Sequence, residues 1–121
     1  MRNSKKLYNL YIVSGKPIFA SYYCTYIFYN FKNLIQINFN NNFNTSKVTN
    51  MSYMFNGCYK PQTELNTTNA GITEYANMLT GALSDANAHV ILGYTTDTQS
   101  IATAMKNTCN NSSKITLKQI L

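Results

Sequence analysis

Apolar positions along this chain follow two rhythms. In the first they alternate in twos: Leu7-Tyr-Asn-Leu-Tyr-Ile12, Leu34-Ile-Gln-Ile-Asn-Phe39, His89-Val-Ile-Leu-Gly-Tyr94 and Lys114-Ile-Thr-Leu117, with Thr63-Glu-Leu65 as a poor member. Such alternation, rich in β-branched and aromatic residues, predicts strands that bury one face. In the second rhythm Val48, Met51, Met54, Phe55 and Cys58 share one face at 3.6 residues per turn, which predicts a short helix. Thr45 or Ser46 can cap its start, and Gly57 sits where such a helix would stop. A Tyr-rich helix is expected over Tyr22 to Phe31, and Pro17 suits a helix start before Ile18. Thr98 or Ser100 would cap a further helix over Ile101 to Lys106.

These rhythms repeat. Ser46-Lys-Val-Thr-Asn-Met-Ser-Tyr-Met-Phe-Asn-Gly-Cys58 has a diverged copy in Ala70-Gly-Ile-Thr-Glu-Tyr-Ala-Asn-Met-Leu-Thr-Gly-Ala82. Val48 matches Ile72, Met54 matches Met78, Phe55 matches Leu79 and Gly57 matches Gly81. Weaker copies align Ile27 and Met105 with Met54, so the markers 27, 54, 78 and 105 are spaced by 24–27 residues. A unit of one strand and one helix cannot bury its apolar face alone, whereas stacked units share a continuous core. The expected fold is an α/β solenoid of about four strand–helix units with a parallel sheet and right-handed crossovers. It forms a single domain over residues 1–121, with units at about 7–33, 34–60, 61–88 and 89–121. Its expected core is Leu10, Ile12, Ile37, Phe39, Val48, Met51, Met54, Phe55, Ile72, Met78, Leu79, Leu92 and Met105.

The stretch Phe43-Asn-Thr-Ser-Lys-Val-Thr-Asn-Met-Ser-Tyr-Met-Phe-Asn-Gly-Cys58 resembles the BspA-like leucine-rich repeats of bacterial surface proteins and mycoplasma-type lipoproteins. The family unit is similar to F-x-T-S-x-V-T-x-M-x-x-M-F-x-G-C, with an L-x-x-L-x-L strand between such segments. The likeness covers about residues 34–82 and extends by periodicity to most of the chain. Pro61 and Glu64 depart from the third strand, and Leu83 to Ala88 add an irregular link. The resemblance implies a leucine-rich-repeat-like solenoid at the cell surface or outside the cell, which adheres to a protein of a host or an envelope without catalysis or a cofactor. Solenoids of this kind bind through a sheet face. The candidate contacts there are Tyr8, Asn9, Tyr11, Gln36, Asn38 and Asn40, with Ile91, Gly93, Thr116 and Lys118 at a less definite register. Asn42 is expected to bond backbone in its turn. Tyr22, Tyr23, Tyr26 and Tyr29 either cap the core or contact a neighbour.

Composition narrows the chemistry. The chain has 121 residues, with 10 Lys+Arg against 4 Asp+Glu, one His and no Trp. A net charge of +6 raises a third reading, a small basic nucleic-acid binder. The cations are scattered lysines and a single arginine, Arg2, whereas base and phosphate recognition favours arginine forks. That partner is therefore not expected. Cys24, Cys58 and Cys109 form no C-x-x-C, and one His cannot complete a zinc site with them, so they read as small buried side chains rather than metal ligands. His89 follows Asp85 by four residues, but no nucleophile or phosphate-loop motif surrounds either, and no enzyme is expected. Met1 to Lys6 resembles a signal n-region, but the following apolar stretch is interrupted by Asn9 and stopped at Gly15-Lys16-Pro17. No run reaches the ~18 apolar residues that would span a bilayer. The alternative to an adhesion module is a structural piece, either of a longer repeat array or of a phage or prophage tail, without a ligand of its own.

Overall fold

The computed structural model describes residues 8–11, 18–39 and 43–121. Ile12, Asn40 and Asn42 lie outside these residues. The alternating runs become β1 (Tyr8–Tyr11), β3 (Leu34–Asn38), β5 (Gln62–Thr67), β6 (His89–Tyr94) and β7 (Ile115–Gln119). They form one parallel sheet in the order β1-β3-β5-β6-β7. Chain order thus equals spatial order, and each strand lies beside its successor after one coil. Leu10 pairs with Ile37, Ile37 with Thr63, Thr63 with Val90 and Val90 with Ile115, giving an inward column with one residue from every strand. At the first corner β2 (Ile18–Phe19) pairs in parallel with β4 (Phe43–Asn44). The molecule is a solenoid of about four stacked coils.

The expected helices over 22–31 and 48–58 are not formed. Both segments, and the copy at 73–82, are turns, and Ile18 opens a short strand rather than a helix. The only α-helix among the described residues is α1 (Gln99–Lys106). In the second coil the N–H groups of Met54, Asn56 and Cys58 bond back three residues, to Met51, Tyr53 and Phe55. The alternate N–H groups of Met51, Tyr53, Phe55 and Gly57 leave the coil. They donate to the carbonyls of Glu74, Ala76, Met78 and Thr80, at 2.8, 3.1, 2.9 and 3.2 Å. The carbonyls of Asn50, Ser52, Met54 and Asn56 in turn accept from Cys24, Tyr26, Phe28 and Asn30, at 2.8, 3.3, 3.0 and 2.7 Å. An α-helix would spend all these groups internally. This turn ribbon spends half on its neighbours and so joins one coil to the next as a sheet does. Left-handed residues recur every fourth position, at Tyr26 and Asn30, Tyr53 and Gly57, and Asn77 and Gly81. The ribbon therefore repeats every four residues, near enough to the helical 3.6 that its buried side chains mimic a helix face.

The repeat registers are those of the sequence. Parallel bridges join Tyr23 to Asn50 and Asn50 to Glu74, the same spacing that aligns Ile27, Met54 and Met78. Ile37, Phe39, Val48, Met51, Met54, Phe55, Ile72, Met78, Leu79, Leu92 and Met105 are buried in one cluster, with Leu10 partly buried against it. Phe28 stacks on Phe55 at 5.4 Å, carrying that column from coil to coil. In the fourth coil the ribbon gives way to α1. Thr98 occupies the N-cap position but does not cap the helix. Its buried hydroxyl donates to the carbonyl of Thr67 at 2.6 Å and accepts from the N–H of Thr95 at 2.8 Å, tying two coils together.

Candidate functional site

Alternate residues of the main sheet point away from the core, and these form its outer face. On β1 Tyr8, Asn9 and Tyr11 are exposed, on β3 Gln36 is exposed and Asn38 half-buried. The third strand, expected to be poor, supplies the centre of the face through exposed Gln62, Glu64 and Asn66. These were missed because Leu65 is the only hydrophobe between them; the signal was the alternation itself, with Thr67 buried as an apolar residue would be. His89, Thr116 and Lys118 extend the face to the last strands. Gln36, Gln62 and His89 stand in register across three strands.

Polar contacts hold this face in place. The His89 ring nitrogen Nε2 lies 3.0 Å from Thr116 Oγ1. Lys118 Nζ on β7 reaches Glu64 Oε1 on β5 at 3.2 Å, passing over β6. Gly93 lies in register between Asn66 and Lys118. Gly93 is buried, contrary to the expectation that it faces solvent. A Cβ there would overlap Asn66 Oδ1 and meet Ile120 Cγ2 at 3.1 Å. Asn66 and Ile120 thus close over the glycine from either side.

A cleft of about 670 Å³ opens on this face. β3 and β5 pair only at Gln36–Gln62 and Ile37–Thr63, then part, while β5 and β6 pair over six residues. The gap is walled by Gln36, Asn38, Glu64, Asn66 and Lys118, with Phe39, Phe43 and Leu65 among its apolar residues. Phe39 and Phe43 stack at 4.9 Å. Side-chain amides both donate and accept, and the only charges are one opposed pair, so the cleft suits neutral polar groups such as peptide backbone.

The residues considered for catalysis are not assembled. Asp85 bonds Lys60 Nζ at 3.2 Å and the Asn87 N–H, and that backbone bond together with the lysine holds its carboxyl below the usual range. His89 faces Thr116 instead. All three cysteines are free and buried. Burial pushes the Cys24 and Cys58 thiols up to about 11, and raises Cys109 too. Cys58 Sγ donates to the carbonyl of Phe28 at 2.8 Å, which holds it as a neutral thiol. Among the described residues no three of His, Cys, Asp and Glu converge to hold a metal ion. Nor is any described helix long and apolar enough to cross a membrane.

Three asparagines serve turns: Asn44, Asn50 and Asn69 accept from the N–H two residues ahead. Several lysines have local duties. Lys60 pairs with Asp85, Lys114 Nζ donates to the carbonyls of Leu83 and Asp85 at 3.0 and 2.6 Å, and Lys32 lies over the Tyr59 ring. The expected tyrosine group sits on the first ribbon. Tyr22, Tyr23, Tyr26 and Tyr29 are all exposed, and Tyr26 stacks on Tyr53 at 4.9 Å with the rings 3° from parallel.

No family model, no curated protein and no solved structure matches the chain.

Proposed function

We propose that this chain is a non-catalytic repeat module of a bacterial surface, which binds a protein of a host or an envelope through the outer face of its sheet. In this reading the solenoid is of the leucine-rich-repeat type, right-handed, and of the BspA-like kind suggested by the motif from Phe43 to Cys58. The observation that carries it is the cleft between the parted ends of β3 and β5, walled by amides and by the Glu64–Lys118 pair. Tyr8 and Tyr11 stand at the free edge of the same sheet and add amphipathic contact area. The buried neutral thiols and the separated Asp85 and His89 support binding over catalysis.

The test is to pass the folded chain over immobilised matrix proteins and purified envelope proteins. A saturable interaction is expected, weakened about tenfold or more by Gln36→Ala with Asn66→Ala, the scale on which central interface contacts act. Both side chains are exposed, so the melting temperature should stay near that of the parent. Binding that survives this double change, or none above background to any protein, overturns the reading.

A further inference from the structure

The two ends of the solenoid are unlike, and the difference specifies a partner for one of them. Each interior ribbon has a donor edge and an acceptor edge. The second takes four N–H groups from the first and gives four to the third. The first ribbon gives its four through Cys24, Tyr26, Phe28 and Asn30. The equivalent acceptors on its other side, the carbonyls of Tyr23, Thr25, Ile27 and Tyr29, receive no hydrogen bond from any described residue. They form a row of lone pairs at two-residue spacing, in the register that Asn50, Ser52, Met54 and Asn56 use one coil later.

The side chains repeat this asymmetry. Met54 and Met78 are 0% exposed, yet Ile27, at the same place in the repeat, is 42% exposed. Cys58 and Ala82 are 0% exposed, and the matching Phe31 is 52% exposed. Positions that interior coils bury against the preceding coil are bare on the first. Beside them β1 is an edge strand carrying exposed Tyr8 and Tyr11. At the opposite end α1 bonds its N–H groups within itself from Ala102 onward and presents exposed Gln99, Ser100, Thr103 and Asn107. A terminal repeat with a polar outer surface is what keeps a solenoid soluble. One end has that surface; the other has the surface of an interior coil.

We propose that the bare end of the first coil docks a parallel turn-ribbon coil of another polypeptide, which places alternate N–H groups on the four carbonyls and its own strand beside β1. The molecule itself contains this interface twice, between its first and second and its second and third coils, so the occupant's chemistry is specified. A second copy does not supply it. Among the described residues the α1 end presents no row of N–H groups at two-residue spacing, and two bare ends face to face would oppose carbonyl to carbonyl.

The inference is independent of the sheet-face reading and is tested without its ligand. The chain's own second unit, residues 34–60, is joined ahead of residue 7 of the full chain, the tether raising its effective concentration at the bare end. Amide exchange is then followed by NMR. The grafted copies of Met51, Tyr53, Phe55 and Gly57 are expected to exchange about a hundredfold or more slowly than an open chain, as formed ladder amides do. Acrylamide quenching of the tyrosines should fall, and the melting temperature should rise. Ile27→Lys provides the control: it changes an exposed residue, so the parent should melt as before, while in the fusion the grafted amides should lose protection. Grafted amides that exchange at open-chain rates while the parent's own ladder stays protected overturn the proposal. So does a parent chain that sediments as a dimer with its tyrosines already shielded.

Discussion

Adding one methyl group at either of two glycines measures how tightly the coils are stacked. Gly57 and Gly81 occupy the same place in successive ribbons, with φ of +74° and +72°. Alanine at either position carries the left-handed penalty of about 1–2 kcal/mol. Restricting the unfolded chain returns about 0.4–1 kcal/mol of that. The surroundings then separate them. A Cβ at Gly81 meets only the Gly57 backbone nitrogen, at an ordinary 3.9 Å. A Cβ at Gly57 would lie 2.9 Å from Asn30 Oδ1 and 3.4 Å from Asn30 Cα, on the first coil. The coil cannot withdraw cheaply there, because the Asn30 N–H holds the Asn56 carbonyl at 2.7 Å. The Asn30 side chain must turn off its rotamer, at a cost of about 0.5–1.5 kcal/mol. Gly81→Ala should thus cost about 1 kcal/mol and Gly57→Ala about 2 kcal/mol, the sums of these terms. Urea unfolding followed by circular dichroism, with unchanged m-values, reads both. Asn30→Gly removes the obstructing amide, so in a double-mutant cycle it should recover about 1 kcal/mol of the Gly57→Ala loss. Equal costs for the two alanines, with no coupling to Asn30, would refute close stacking of the first two coils.

Other perturbations test other parts. Met54→Asp puts a charge at a fully buried position, which should cost more than about 4 kcal/mol and abolish the cooperative thermal transition seen by circular dichroism. Thr98→Val leaves the Thr67 carbonyl and the Thr95 N–H without their shared partner, so urea unfolding should show a loss of about 1–3 kcal/mol. Glu64→Gln removes an ion pair whose members are half exposed, and the same assay should change by less than about 1 kcal/mol. The Cys24 and Cys58 thiols hold their protons up to about 11 in the folded chain, against an ordinary value of 9.0 when unfolded. The folded state therefore binds more protons between these values, and unfolding free energy should decline as pH rises from 9 toward 11. At pH 8 a thiol reagent should label the chain only as fast as it opens.

What could be read from residues alone divides along a physical line. The strands of the main sheet were legible because alternation reflects which side chains lie inside, and that depends only on the pleat. The repeat was legible because Ile27, Met54 and Met78 sit at equivalent places, and the bridges from Tyr23 through Asn50 to Glu74 keep the same spacing. The helix over 101–106 was legible and forms as α1, but the segments 22–31 and 48–58 could not be told from helices. A turn ribbon buries Met51, Met54, Phe55 and Cys58 at nearly the helical period, so hydrophobic spacing cannot separate the two. The backbone decides, through left-handed residues at every fourth position. Of these only Gly57 and Gly81 signal themselves; Tyr26, Tyr53 and Asn77 do not. A left-handed tyrosine is costly, and the structure shows what offsets it: Tyr26 stacks on Tyr53, and the Asn77 side chain donates to the Tyr53 hydroxyl at 3.0 Å. That compensation runs between coils, so no single coil's sequence contains it. The outer face divides the same way. Gln36 and Lys118 follow from alternation within a strand, whereas the cleft depends on β3 and β5 parting after two paired residues. The polar strand Gln62–Thr67 becomes the middle of the sheet because Leu65 is held between its neighbours' hydrophobes, not because of its own composition.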